Sequence, residues 1–315
     1  ANFLGTGNRV AAQVNTGKVN QTYSLSVTKP FYTPEGISLG YDIYRRDVNT
    51  SSLNLVTYNT SSFGAGVRFT IPLSEKNSMS YGLTLDNTEV SKLELNRSPT
   101  RYINYCSSVT NTANSTGCTM NSLTASIGWA IDSRDDILFP KKGELRRANA
   151  EVSTPGLDIQ IYKVTLQGSW YKDITKDLTV MLNGQLGYAN SYGGKEFPFF
   201  KNFYLGGVNT VRGYRQGSIG PVCVQGDASC GLSTSTTNMF VGGNKQILAN
   251  AELFMPVPFL KNNNQFRLSA FIDAGNVYGH DESINLSTIR YSAGMGVLWV
   301  SPFGPLKIVY AVPFN

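Results

Sequence analysis

The chain has 315 residues, 41% hydrophobic and 15% charged, with 17 Tyr, 16 Phe and 31 Gly spread along its length. That charged share is well below the roughly 25% usual for soluble domains, and no run of about 18 apolar residues exists to form a membrane-spanning helix. The net charge of +6 comes from scattered Lys and Arg, with Arg45–Arg46, Lys141–Lys142 and Arg146–Arg147 as the only doublets. This argues against a nucleic-acid partner and leaves a solvated surface, or attraction to anionic headgroups, as the role of the charge.

Low charge, many aromatics and no spanning helix fit a membrane β-barrel, although a secreted β-sandwich or propeller shares the Tyr/Gly/Thr richness. Ala1 to Val10 lacks the charged start and apolar core of a signal peptide, so the chain reads as a mature fragment. In chain order, period-two segments bounded by turn residues predict strands near 9–16, 21–32, 36–47, 60–72, 78–91, 119–132 and 144–154. Further strands are predicted at 161–171, 178–188, 245–256, 265–278, 288–300 and 306–312, about thirteen in all.

The segment Ile161 to Tyr171 shows the pattern best. Tyr162, Val164, Leu166, Gly168 and Trp170 share one face; Lys163, Thr165, Gln167, Ser169 and Tyr171 share the other. The first face is aliphatic with an aromatic at each end, as a strand crossing lipid between two interfaces requires. Leu178 to Tyr188 repeats the scheme. Trp170, Tyr162 and Tyr188 are assigned to interfacial girdles.

The connectors sort by length. Thr33–Gly36, Ser74–Asn77, Lys172–Asp177 and Ser301–Pro305 are short, whereas 48–59, 92–118, 190–244 and 279–287 are longer. Short turns at one end and long loops at the other fit a transmembrane antiparallel β-barrel, the only sheet that satisfies its backbone inside lipid. An odd strand count, however, cannot close an all-antiparallel barrel. Thirteen strands imply a missed strand, missing flanking sequence or an open seam.

The four cysteines form two local sets, Cys106/Cys118 and Cys223/Cys230, in Ser/Thr/Asn/Gly-rich loops. Two short-range disulfides in an oxidising compartment are the natural reading among three formal connectivities. No metal-ligand spacing exists, and His280 is the only histidine. Phosphate-binding, zinc-protease and nucleophile-elbow motifs are absent. No catalytic residue, cofactor or metal is expected, and the chain is not read as an enzyme.

The most informative stretch is KNFYLGGVNTVRGYRQGSIGP, Lys201 to Pro221. It sets Arg212 within a Gly-rich segment, with Gly206 and Gly207 before it and Gly213 after it. At 190–244 the loop is too long for a casual connector. Strand parity supplies its partners. Phe266, Leu268, Ala270 and Ile272 form an apolar face, so Asp273 points inward with Arg267, Ser269 and Phe271. Ile247, Ala249, Ala251, Leu253 and Met255 face lipid, so Glu252 also points inward. Neither acid can face hydrocarbon without large cost. Arg212 is therefore expected to bridge Asp273 and Glu252, its planar fork meeting two carboxylates; the alternative is a solvent-exposed loop arginine. Tyr214 packs the loop tip on the inner wall or lies on the surface. Asp135 and Asp136 read as turn charges beside Arg134, and Gly294 and Gly296 as sites of a bend or close packing.

The tetrad Val211-Arg212-Gly213-Tyr214 resembles the signature of the BamA family, the outer-membrane β-barrel insertases and their protein-translocating relatives. Lys195 to Pro221 carries the strongest match. NFLGTG at Asn2 to Gly7, SVTKPFYTPEGISLG at Ser26 to Gly40 and FPKKGELRRANAEVSTPG at Phe139 to Gly156 support it. So do AELFMPVP at Ala251 to Pro258, FIDAGNVY at Phe271 to Tyr278 and WVSPFGPLKIVYAVPF at Trp299 to Phe314. The resemblance implies a sixteen-stranded barrel preceded by POTRA domains, with the 190–244 loop folded into the lumen and its arginine on wall carboxylates. It implies ATP-independent insertion of client outer-membrane β-barrel proteins through a seam between first and last strand. Assembly-complex lipoproteins, outer-membrane lipid and lipopolysaccharide are the implied partners, and the Gram-negative outer membrane the implied location. On this resemblance residues 1–315 are a single transmembrane barrel domain fragment lacking the POTRA domains, the first two strands and the last strand. A two-partner-secretion-type polypeptide transporter, a passive pore and a surface receptor are the competing functions.

Overall fold

The computed structural model describes residues 5–50, 56, 58–95, 98–224, 230, 239–257, 266–301 and 304–314. The first residues of the Asn2–Gly7 match, Pro258 and the middle of the 301–305 connector lie outside the described residues. The strands of the first half are β1 (Arg9–Thr16), β2 (Asn20–Lys29), β3 (Ser38–Asn49), β4 (Asn59–Ser74), β5 (Asn77–Ser91), β6 (Cys118–Asp132) and β7 (Gly143–Ser153). They are followed by β8 (Ile161–Asp173), β9 (Thr179–Ser191), the short β10 (Val222–Cys223) and β11 (Met239–Phe240), β12 (Lys245–Met255), β13 (Phe266–Tyr278), β14 (Arg290–Ser301) and β15 (Gly304–Phe314).

Thirteen of these strands form one antiparallel sheet, in chain order from β1 to β9 and then β12 to β15. Only the β10–β11 pair stands apart, inside the long segment between β9 and β12. The period-two pattern explains the sheet. Its outward apolar residues stand bare, as at Leu166 (45% exposed), Leu182 (47%) and Ile272 (55%). The alternate residues point inward, where Glu252, Ser269 and Asp273 are buried. An apolar exterior over a polar interior is the wall of a transmembrane antiparallel β-barrel. Curvature brings Arg267 on β13 back to the β6–β7 turn, where its guanidinium donates to the Phe139 and Pro140 carbonyls at 3.4 Å and lies 4.8 Å from the Phe139 ring. Among the described residues β1 and β15 are not paired with each other.

Aromatics mark the two rims. Tyr162 and Tyr188 lie with ring centroids 6.0 Å apart at one end, and Trp170 sits toward the other end of β8. Phe266 and Trp299 stack at 5.5 Å across β13 and β14.

Three details differ from the expectation. Loop sorting is incomplete: the β1–β2 connector at the long-loop end spans only 17–19, and the β6–β7 connector at the short-turn end runs from 133 to 142. The latter is an ordered turn. Asp136 Oδ1 accepts from the backbone N–H of Leu138 and Phe139, and Asp135 Oδ1 from those of Lys141 and Lys142. The β2 strand ends at Lys29 rather than near residue 32, leaving Phe31 and Tyr32 exposed in the turn.

The third difference is a helix, α1 (Thr100–Thr110), within the 92–118 loop. Pro99 precedes it and Asn111 ends it in the left-handed conformation at φ 53°, a usual helix stop. Tyr102, Ile103, Tyr105 and Cys106 form its buried face, against Phe199, whose ring stacks on Tyr102 at 3.8 Å. The hydrophobic core thus starts in a dome of loops above the wall and runs onto the inner face of the sheet, where Met120, Ala189, Leu248 and Val277 join it. Tyr58, Tyr102, Phe199, Phe203, Cys118, Ile159 and Val241 belong to it. The Val241 carbonyl accepts from the Tyr102 hydroxyl at 3.1 Å, the Tyr204 hydroxyl at 3.2 Å and Asn202 Nδ2 at 2.8 Å. Burial pushes the phenols of Tyr58, Tyr102 and Tyr204 above their ordinary range. Both local disulfides, Cys106–Cys118 and Cys223–Cys230, are formed in this dome.

The wall assignment predicts a contrast at the centre of β8. Leu166→Arg, facing lipid, should cost about 2–4 kcal/mol in denaturant unfolding from lipid vesicles. The adjacent Gln167→Arg, facing inward, should cost less than about 1 kcal/mol. Equal costs would contradict the orientation.

Candidate functional site

Residues 199–223 cross the inner face of β12 to β15. The backbone makes this possible at two glycines before the arginine: Gly206 at φ 108° and Gly207 at φ 99° adopt conformations that side chains disfavour. A Cβ on Gly206 would lie 2.3 Å from the Arg215 carbonyl oxygen. The turn is closed by Gly206 N–H to Thr210 Oγ1 at 2.9 Å and Gly207 N–H to the Tyr214 carbonyl at 3.0 Å.

Arg212 stands at the tip of this turn and is 4% exposed. Its Nε donates to Asp273 Oδ2 at 2.7 Å and its Nη2 to Asp273 Oδ1 at 2.6 Å. Its Nη1 donates to Glu252 Oε2 at 2.9 Å, and its backbone N–H to Asp273 Oδ2 at 3.0 Å. The guanidinium also lies 3.3 Å from the centroid of the Phe271 ring, a stacked cation–π contact. One residue thus binds both wall carboxylates and a wall aromatic. Removal of the arginine would leave two buried acids together, a cost of about 3–5 kcal/mol.

The neighbouring tetrad residues fit the wall closely. Val211 is fully buried and packs where Gly275 has no side chain; a Cβ there would meet Val211 at 2.9 Å. Gly213, at φ 89°, approaches Ala311 of β15 within 3.3 Å of where its Cβ would lie. Tyr214 donates its hydroxyl to the Tyr291 carbonyl on β14 at 3.2 Å, which places it on the inner wall rather than on the surface. The structure therefore brings Val211, Arg212, Gly213, Tyr214, Glu252 and Asp273 together, with Gly206 and Gly207 shaping the approach. The four cysteines form their two disulfides within the hydrophobic cluster that also takes in Val211.

Two features were not anticipated from the sequence. The first is a polar rung across four adjacent strands. Ser169 Oγ donates to Asn183 Oδ1 at 2.9 Å, Asn183 Nδ2 to Asn250 Oδ1 at 2.8 Å, and Asn250 Nδ2 to Asp273 Oδ1 at 2.9 Å. Asn250 Nδ2 also donates to the Thr210 carbonyl at 2.9 Å. These residues are direct register partners, and the chain of bonds holds Asp273 in place from the side. The second is Lys307 of β15, whose Nζ lies 3.4 Å from Glu252 Oε1. Alternation in Leu306–Phe314 would have placed Lys307 inward. Elsewhere on the segment, Lys163 Nζ sits 4.5 Å from the Phe203 ring.

The arrangement holds two anions and a stacked guanidinium, with each guanidinium nitrogen donating one bond to the wall. Its chemistry is that of a latch. Arg212→Ala should lower unfolding stability by about 3–5 kcal/mol and expose the 203–219 segment to protease. Arg212→Lys should recover only part of that loss, because an ammonium cannot make the forked contact to Asp273 while reaching Glu252. Protease protection in Arg212→Ala equal to wild type would contradict the latch.

Comparison with known proteins places the chain. A model described as the Omp85 superfamily domain matches residues 2–315. The chain is 34% identical over 342 residues to "Outer membrane protein assembly factor BamA" of Neisseria meningitidis serogroup B, covering 100% of this chain and 42% of that protein. It is 29% identical over 199 residues to "Sorting and assembly machinery component 50 homolog" of Xenopus tropicalis, covering 59% of this chain and 40% of that protein. Among solved structures, BamA from Haemophilus ducreyi lacking POTRA domains 1-3 superposes with a TM-score of 0.88 at 28% identity, covering 100% of this chain and 62% of that one. The chain spans about two fifths of the length of these curated relatives.

Proposed function

The chain belongs to the Omp85 superfamily, and from that premise we propose that it is the barrel core of an outer-membrane protein insertase. It is an outer-membrane β-barrel chain of the Gram-negative type. In the proposed activity it assists folding and insertion of client β-barrel proteins. Support comes from the match over the whole chain to an outer membrane protein assembly factor, and from the Arg212 latch on the inner wall.

The physical reasoning starts from the wall. A nascent outer-membrane strand must have its backbone groups paired before it enters hydrocarbon, and an unpaired strand edge is a template for such pairing. A wall that offers an edge must not unravel from it. A segment fastened across the inner faces of β12 to β15 ties those strands together from within. Assembly lipoproteins and outer-membrane lipid with lipopolysaccharide are the proposed partners, the second meeting the bare apolar exterior. The reading assigns no covalent chemistry to the chain. Its single histidine, His280, stands beside Phe197 with ring centroids 5.7 Å apart, and burial lowers its pKa.

A passive pore or a secretion channel is the competing reading. A segment latched across the inner wall by buried charges would obstruct such a channel, which favours the insertase.

Assembly of a client barrel by the full-length protein in lipid vesicles tests the proposal. Arg212→Ala should slow client folding by about tenfold or more, since a loss of 1.4 kcal/mol in the competent state is already tenfold. The intact protein should show no large, steady single-channel conductance. Unchanged client folding in the variant, or a stable open channel in the wild type, would overturn the reading.

A further inference from the structure

The latch contains a carboxylate oxygen that Arg212 does not satisfy. Glu252 is 3% exposed, and Arg212 takes only its Oε2. Oε1 is buried with no hydrogen-bond partner among the described residues. The cation facing it is Lys307 Nζ at 3.4 Å. Buried charge of one sign is costly unless opposed. Arg212 alone leaves Glu252 and Asp273 with one negative charge in excess; Lys307 brings the cluster of two cations and two carboxylates to neutrality.

Lys307 belongs to β15, which pairs only with β14 among the described residues. Two ladder steps separate β15 from β13, and β12 lies one step further. Lys307 pairs in register with Leu298, whereas the Glu252 rung runs through Phe271 and Gly294 to Ala311. The lysine stem therefore extends along the inner face to reach the acid. The inward positions of β14 between Ser292 and Leu298 are Gly294 and Gly296, which put no side chain in its way. A Cβ on Gly294 would lie 2.7 Å from the Phe271 ring, so the wall has no room for one there.

We propose that Lys307 is a positioning residue that couples β15 to the latch through Glu252. When β15 moves away from β14, the lysine leaves the acid, the cluster keeps an uncompensated negative charge, and Arg212 is held less evenly between Glu252 and Asp273. Conversely, a docked latch holds β15 against the wall. Position of β15 and position of the inner segment then become one equilibrium, each biasing the other to the same extent. The proposal rests on the latch reading above and adds to it a specific link to β15.

The test uses the full-length protein in lipid vesicles, with spin labels at Val208, exposed on the segment, and Tyr310, exposed on β15. Lys307→Met should broaden the distance distribution and slow client folding by about three- to thirtyfold, whereas Lys307→Arg should stay near wild type. Glu252→Gln added to Lys307→Met should cost less than the sum of the single changes. Additive effects, or a Lys307→Met variant within twofold of wild type in both readouts, would overturn the coupling. Arg212→Ala separates the two ideas. Broadening there with none in Lys307→Met removes the coupling and keeps the latch; no broadening in Arg212→Ala removes the latch reading itself.

Discussion

The structure depends on how one guanidinium is desolvated. Arg212 lies in the interior of a polar wall, and its fork is directed at Asp273, its remaining arm at Glu252 and its face at Phe271. None of the three charged groups could be buried alone at tolerable cost. Together they oppose one another's charge, and they do so across three separate pieces of chain. The long segment between β9 and β12 is thereby made part of the wall. The glycines around the arginine are the local condition for this, since the turn requires left-handed backbone at Gly206 and Gly207 and close approach to β15 at Gly213.

The wall and the latch constrain each other. Period-two alternation places Glu252 and Asp273 inward because their neighbours are apolar and face lipid. The register then aligns Ser169, Asn183, Asn250 and Asp273 on one rung. A register slip of one residue would turn every one of these side chains into hydrocarbon. The latch is therefore informative about the sheet: its two acids stand on β12 and β13, and it forms only when those strands are correctly paired. In a β-barrel, whose outer face is bathed in lipid and contributes little inward packing, such a polar check on register works beside the apolar core. That core runs from the loop dome, around Tyr102 and Phe199, onto the inner wall at Val211, Leu248 and Val277.

Much of this was legible in the sequence, for identifiable reasons. Strand positions followed from alternation, which lipid outside and polar groups inside make unusually clean. The Arg212 pairing followed from parity on β12 and β13, because an acid between apolar neighbours has only one tolerable direction. The helix Thr100–Thr110 is not legible in the sequence. Its Ser, Thr and Asn content reads as loop, and its buried face becomes apparent only against Phe199 and Val241. Lys307 was within reach of the same parity reasoning, since Leu306, Ile308, Tyr310 and Val312 alternate around it. Its partner was not, because Lys307 meets Glu252 across three strand spacings and along the strand direction, which no local pattern encodes. The Asn183–Asn250 link likewise needs register, not composition.

Amide hydrogen exchange on the full-length protein in lipid tests the central claim most directly. The backbone N–H of Arg212 donates to buried Asp273, so it should exchange only with large-scale opening, about as slowly as the amides of β12 and β13. Exchange of Arg212 and its neighbours at the rate of an exposed loop, while the strands remain protected, would contradict the account.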